Sequence, residues 1–237
     1  MLTVDFKHFP LKDGDRLLDL GCGEGRHAIN AYIAGNIDVF AVDLNPSDLA
    51  IAQQRQQPFA EKSNAKSFHL QCADALKLPF PDHCFDKIIC SEVLEHLPDY
   101  QGALTEIQRI LKPGGTLAIS VPRAWPEKIC WKLSSAYHQV EGGHLRIFNS
   151  QTLNREIEQF GFKRYQRHWA HALHSPFWWL KCALWNQQEQ SRLIRGYHKL
   201  LVWDLMQKPW LTQTLEKLLN PIMGKSVVMY YHTEDTV

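Results

Sequence analysis

The 237-residue sequence predicts an α/β fold: a seven-stranded, mostly parallel sheet with an antiparallel last strand and a helical insertion near the C-terminus. Three observations predict it. Apolar strand signals alternate with helical stretches through the first two thirds of the chain, the pattern of a parallel sheet with right-handed crossovers. The first apolar run ends in glycines spaced G-x-G-x-G. After Gly224, KSVVMYYH alternates as a strand does.

The elements follow in order. Arg16–Leu20 is an apolar strand, and Gly21, Gly23 and Gly25 remove side chains where the backbone must turn or approach a ligand. Arg26–Ala34 continues with helical spacing. Asp38–Val42 is the second strand, Pro46–Gln57 a helix, and Ser67–Gln71, Phe85–Cys90 and Thr116–Val121 the next three strands. Tyr100–Leu111 is an amphipathic helix that LKPGG ends before the fifth strand. Leu153–Phe160 is a helix stopped at Gly161, and Phe162–His171 a strand. Residues 174–224 carry helical spacing and many tryptophans, so they read as a helical, Trp-rich insertion before the final strand at 225–232. The final strand is expected beside Phe162–His171. Residues 1–237 are expected to form a single domain that includes the insertion.

Composition narrows the class. Hydrophobic residues make up 45% and charged residues 22%, an ordinary globular mix. The net charge of +1 gives no general attraction to nucleic acid, and none is expected as a partner. The six cysteines form no C-x-x-C pair, which fits a reduced, cytoplasmic chain better than a disulfide framework or a zinc site. The first 15 residues lack the pattern of a signal peptide, and no apolar run reaches the roughly 18 residues of a spanning helix.

The glycine turn joins a strand to a helix, where free N–H groups and the helix dipole can meet a polar ligand. Asp43 ends the second strand, 20 residues after Gly23, where a carboxylate can accept both hydroxyls of a ribose. A dinucleotide site expects G-x-G-x-x-G, but Arg26 stands at the last position and Gly25 comes one residue early. The turn therefore suits a nucleoside without a diphosphate. Asp74, in Ala73-Asp74-Ala75 after the third strand, can accept from an adenine amino group. Each acid has a plainer role available, Asp43 capping the next helix and Asp74 capping a turn.

The segments LLDLGCGEGRH, VDLNP, CADALKLPFPDHCFD, SEVLEHL and LKPGGTLAISVP together resemble the class I S-adenosylmethionine-dependent methyltransferases, in particular the small-molecule group that includes quinone methyltransferases. The resemblance covers about residues 14–165 and implies a Rossmann-like sheet and S-adenosylmethionine as cofactor. It implies that Asp19 and the Gly21–Cys22–Gly23 backbone hold the amino-acid part of the cofactor. It places Asp43 on the ribose, Leu44 against adenine, Asp74 and Ala75 at the adenine edge, and Ser91 and Glu92 on the methyl-transfer cleft. The Cys22 side chain itself is expected only to pack.

Methyl transfer from a sulfonium is an in-line displacement, served chiefly by alignment and, for a hydroxyl or carbon acid, by a base. In E-V-L-E-H, if Glu92 starts a helix, Glu95 and His96 follow three and four residues on along the same face, and His96 is a candidate base steered by a carboxylate. The same spacing resembles a weak divalent-metal site of quinone O-methyltransferases, and simple packing is the third reading; no metal is expected. In GGHLRIF, residues 142–148, His144 is a second candidate base. Arg146 either orients an anion or anchors the loop, and the glycines permit a hinge. Between Lys163 and Lys208 stand eight Lys/Arg and two acids, Glu189 and Asp204, interleaved with tryptophan. Such a segment suits a membrane surface, a nucleic acid, or a cap packed inward over the cleft. The expected acceptor is small and apolar, lipid-like or quinone-like, methylated on oxygen or carbon. The rivals are an RNA methyltransferase and a non-catalytic cofactor-binding protein. Peripheral contact with a membrane stays open.

Overall fold

The computed structural model describes residues 2–60, 67–140 and 142–233. Its elements run β1 (Arg16–Leu20), α1 (Arg26–Ala34), β2 (Asp38–Asp43), α2 (Pro46–Gln56), β3 (Ser67–Cys72), β4 (Phe85–Ser91), α3 (Tyr100–Ile110), β5 (Leu111–Pro122), α4 (Ala124–Leu133), α5 (Ala136–Gln139), α6 (Ser150–Gln159), β6 (Phe162–Ala170), α7 (His174–Ala183), α8 (Arg192–Gln207), α9 (Trp210–Met223) and β7 (Ser226–Thr233). The strands form one seven-stranded sheet in the order β3-β2-β1-β4-β5-β7-β6. β7 runs antiparallel to both β5 and β6, as expected.

Local chemistry sets the helix starts. Asn45 caps α2 through Ser47 N–H with Pro46 in the first turn, Asp99 caps α3 through Gly102 N–H, and Asn149 caps α6 through Gln151 and Thr152. The Asn149 cap starts α6 at Ser150, before the first apolar residue of the predicted helix. α3 buries Ala103, Leu104, Ile107 and Ile110 completely, the stripe expected of a helix lying on a sheet. β5 begins earlier than its apolar run. Leu111 already pairs with Phe85, then the register shifts and the ladder resumes at Thr116 opposite Lys87. Gly114, at φ +72°, allows the backbone to bend there.

Two cores lie on the two faces of the sheet. Val227, Met229 and Tyr231 of β7 enter one, and Val228 and Tyr230 the other. The alternation in KSVVMYYH therefore separates two buried faces, not a wet face from a dry one, because β7 is flanked by β5 and β6. Ser226 pairs with Pro122 at the C-terminal end of β5 and with Ala170 at the end of β6. The α7–α9 excursion thus leaves and rejoins the sheet at the edge where the parallel strands end. That edge also carries the glycine turn after β1.

Candidate functional site

All three turn glycines have positive φ, at +68°, +51° and +81° for Gly21, Gly23 and Gly25, but they serve different purposes. A Cβ on Gly21 would stand 2.3 Å from Val93 Cγ2, and one on Gly25 2.9 Å from Ala52 Cβ. A Cβ on Gly23 would meet nothing within 4 Å. Gly21 and Gly25 are needed for packing, whereas Gly23 leaves bare backbone facing open space. Gly21 and Cys22 donate their N–H groups to Val42 O, at 2.8 and 2.9 Å, and Gly23 donates to Asp43, so these three N–H groups tie the turn to β2 and are not the free donors the sequence led one to expect.

Gly25 offers α1 no side-chain cap. Asp19 on β1 supplies the missing acceptor, its Oδ2 lying 2.9 Å from Ala28 N. Asp19 is buried, and burial outweighs the Ala28 bond and the charge of Arg26, pushing its pKa up to about 7. An acid raised in the fold holds its proton there between its ordinary value and pH 7, while the unfolded chain does not. Its contribution to stability is full at low pH and lost as pH rises to 7. Asp19→Asn is expected to reduce the fall in unfolding free energy between pH 5 and 7.5 by on the order of 2–3 kcal/mol. Urea titrations of both proteins at the two pH values measure this; parallel slopes would show that Asp19 is not the group responsible.

Asp43 bridges two loops. Its Oδ2 accepts from Gly23 N–H at 2.7 Å and its Oδ1 from Asn45 N–H at 2.9 Å. A carboxylate has about four acceptor sites, so both oxygens keep capacity for a further donor. A cleft of about 710 Å³ opens beside the turn, lined by Gly21, Cys22, Gly23, Glu24, Ser91 and Glu92 among others. Arg55 pairs with Glu24 on its wall. Asp43, Leu44, Asp74 and Ala75 do not line that space; they stand on the neighbouring strand ends. Leu44 is 69% exposed, an apolar side chain with little covering it. Asp74 accepts from Leu76 N–H at 2.9 Å, the turn-capping role, and Ala75 packs against the core. Cys22 is buried, and burial and the nearby Asp19 and Asp43 push its thiol pKa far up, so it stays protonated and packs.

At the end of β4, Ser91, Ser120 and Glu92 form a chain. Ser120 Oγ donates to Glu92 Oε1 at 2.9 Å and therefore accepts from Ser91 Oγ at 2.8 Å. Glu92 sits at φ +59°, a conformation uncommon for a side chain of this type. Glu95 is fully buried, and neither of its carboxylate oxygens has a hydrogen-bond partner among the described residues. Burial and the neighbouring Glu92 hold its pKa well above the usual carboxylate range.

The GHLRIF loop lies over this group. Leu145 N–H donates to Glu95 O, and His96 Nδ1 lies 3.3 Å from Gly143 O. The rings of His96 and His144 meet edge to face with centroids 4.9 Å apart. Burial and His144 lower the pKa of His96. Arg146 donates to the carbonyls of Leu94, Leu97 and Pro98 and lies over the rings of Tyr100 and Phe148. Its role is to anchor the loop. A Cβ on Gly143 would stand 2.6 Å from His138 O, so this glycine permits close packing instead of a hinge.

Sequence reasoning missed Glu127. This buried residue of α4 accepts from His144 Nδ1 at 2.6 Å, Trp131 Nε1 at 3.1 Å and Tyr137 OH at 3.3 Å. Burial favours its neutral form, but the bonds from His144 and Trp131 and the charges of His144 and Lys225 outweigh it, and its pKa is lowered. The only sequence signal was an acid among apolar residues in AWPEKICW. Glu95, His96 and His144 place one donor atom each within 4.8 Å of one another, so these three could hold a divalent ion. Glu92, the first acid of E-V-L-E-H, is not in that group: with Glu92 at φ +59° residues 92–99 form no helix, so the helix face expected for Glu92, Glu95 and His96 does not exist.

The insertion's tryptophans divide. Trp179 donates to Pro126 O and packs near Trp125, and Trp178 and Trp185 lie against Tyr137, whose ring is 5.8 Å from that of His144. Trp203 and Trp210 are exposed. Among the described residues no helix is long and apolar enough to cross a membrane.

Comparison with known proteins agrees with this architecture. Residues 11–176 match the family model described as a methyltransferase domain. The chain is 39% identical over 110 residues to the 2-phytyl-1,4-naphtoquinone methyltransferase of Synechococcus elongatus, covering 46% of each chain. It is 37% identical over 110 residues to the 27-O-demethylrifamycin SV methyltransferase of Amycolatopsis mediterranei, covering 46% of this chain and 39% of that one. The match spans less than half the length of either relative. Among solved structures, the [4+2]-cyclase SpnF aligns over 97% of this chain and 78% of its own, with a TM-score of 0.62 at 20% identity, a likeness of fold. The chain belongs to the methyltransferase-domain family, among the class I S-adenosylmethionine-dependent methyltransferases.

Proposed function

We propose that this chain binds S-adenosylmethionine at the glycine turn and methylates an oxygen or carbon of a small, apolar acceptor of lipid-like or quinone-like character. The observation that carries the reading is the bare Gly23 backbone, held open by Asp43, beside a cleft that runs to Ser91 and Glu92. When bound, the cofactor supplies an electrophilic methyl group on a cationic sulfur. Asp19 and the Gly21–Cys22–Gly23 backbone are its amino-acid side, Asp43 the ribose acceptor, Leu44 the adenine contact, and Asp74 and Ala75 the adenine edge.

On the acceptor side, His144 is the base. The Glu127 bond to Nδ1 keeps that nitrogen protonated and leaves Nε2 free to accept a proton from the acceptor. Glu127 then stabilises the imidazolium that forms, as a buried carboxylate beside a histidine does. Of these side chains Glu92 lines the cleft beside the glycine turn, whereas His96 packs against His144, and Tyr137 with Trp178 gives an apolar surface next to that pair. The naphtoquinone and 27-O-demethylrifamycin SV methyltransferases among its relatives support a small organic acceptor for this chain as well.

Calorimetry is expected to show binding of S-adenosylmethionine and S-adenosylhomocysteine, and much weaker binding of NAD. Incubation with methyl-labelled cofactor and lipid, quinone and phenolic extracts is expected to label an organic-soluble product. Binding without any labelled product would leave a cofactor-binding protein, and label confined to added RNA would replace the acceptor class.

A further inference from the structure

The helices between β6 and β7 carry a surface that the rest of the fold leaves open. α8 is apolar on two sides. Ile194, Leu201 and Asp204 form its buried side. On the other, Leu193, Leu200, Trp203 and Met206 recur at helical intervals of seven, three and three and are all exposed, Met206 by 72%. α9 repeats the pattern. Trp210 is 77% exposed at its start, and Leu211, Leu215, Leu218 and Ile222 follow at intervals of four, three and four, also exposed. A folded chain rarely leaves so many large apolar side chains exposed on two consecutive helices unless something else covers them.

The charges identify the cover. Arg192, Arg195, Lys199, Lys208 and Lys217 are all exposed along these two helices. The acids in the same stretch are Asp204 and Glu216. Asp204 is 2% exposed and accepts from Gln213, and both carboxylate oxygens of Glu216 are buried. Among the described residues from 192 to 217, every exposed charge is positive. A second copy of this face would set these cations against one another, because a two-fold contact repeats the same patch on both sides. A nucleic acid would answer the charge but leave the Leu, Met and Ile stripes unburied. An anionic bilayer answers both: acyl chains take the stripes, tryptophan settles at headgroup depth, and lipid charges meet Lys and Arg.

We propose that the exposed sides of α8 and α9, which carry Trp203, Met206, Trp210 and Leu218, seat the protein on an anionic lipid surface. The helices lie in the surface and do not cross it. This goes beyond the proposed methyl transfer and holds whatever the acceptor is. The excursion starts and ends at the sheet edge that bears the glycine turn, so docking also sets the cleft edge of the domain beside the membrane, where an apolar acceptor would be dissolved.

Flotation of the full chain with vesicles tests it. The protein is expected to float with phosphatidylcholine vesicles containing phosphatidylglycerol, far less with pure phosphatidylcholine, and less as salt rises. Arg195→Gln, Lys199→Gln and Lys217→Gln are each expected to weaken binding about fivefold. Met206→Ser and Trp210→Ser, at exposed positions, are expected to weaken it further with unchanged thermal unfolding. Tryptophan quenching by brominated acyl chains is expected for the wild type and reduced in Trp210→Ser. No flotation with anionic vesicles at low salt would overturn the proposal. So would a dimer, measured by sedimentation, that the same substitutions dissolve, or retention on RNA without flotation.

Discussion

Asp43→Ala is expected to weaken binding of S-adenosylmethionine by about 3 kcal/mol, more than a hundredfold in Kd. Two losses combine. The ribose loses its charged acceptor, and Gly23 N–H and Asn45 N–H lose the carboxylate that holds them. The bare backbone at Gly23 is then no longer held in place against β2. Asp43→Asn keeps an acceptor oxygen on the side chain and is expected to fall between the two. Titration calorimetry with S-adenosylhomocysteine measures all three proteins, and equal affinities would remove Asp43 from the site. The unfolding midpoint should move little, because the substitution leaves both cores and the Asp19–Ala28 bond intact.

His144→Ala is expected to lower kcat by roughly 10²–10⁴, the range for loss of a positioned base, with cofactor Kd unchanged. The unchanged Kd follows from placement: His144 packs against His96, Tyr137 and Glu127, not against the glycine turn. Glu127→Gln tests the positioning role. Glutamine can still accept from Nδ1 but carries no charge to stabilise the imidazolium, so kcat should fall roughly tenfold to a hundredfold. A purely structural role for Glu127 would lower thermal stability without shifting the pH profile of kcat; the positioning role shifts that profile. Chelator treatment separates the remaining reading of the cluster. Turnover that survives it keeps His144 as a base, whereas turnover lost and restored by a divalent ion would assign Glu95, His96 and His144 to that ion.

The strand and helix order was legible because each crossover repeats a short, strongly patterned unit. The glycine turn was legible because positive φ and close packing restrict residue type at single positions, as Gly21 shows against Val93. Asp43 was legible by its place at the end of β2. Strand boundaries were less so. Leu111 belongs to β5 because it pairs with Phe85 across the sheet, a partner 26 residues away that local pattern cannot supply.

The acceptor side was decided by tertiary structure. GHLRIF named His144, but only the packing of α4 beneath the loop brings Glu127, 17 residues earlier, to 2.6 Å from its ring. Arg146 carries the same charge whether it holds a ligand or a loop; its three carbonyl partners lie on a separate segment, so folding alone chose the loop. The tryptophan-rich stretch showed the same limit. Its helical spacing and basic charge were plain in the sequence. Which tryptophans pack near Tyr137 and which stand exposed depended on how α7, α8 and α9 lie on the sheet edge, since an amphipathic pattern states that a face will be covered and not by what.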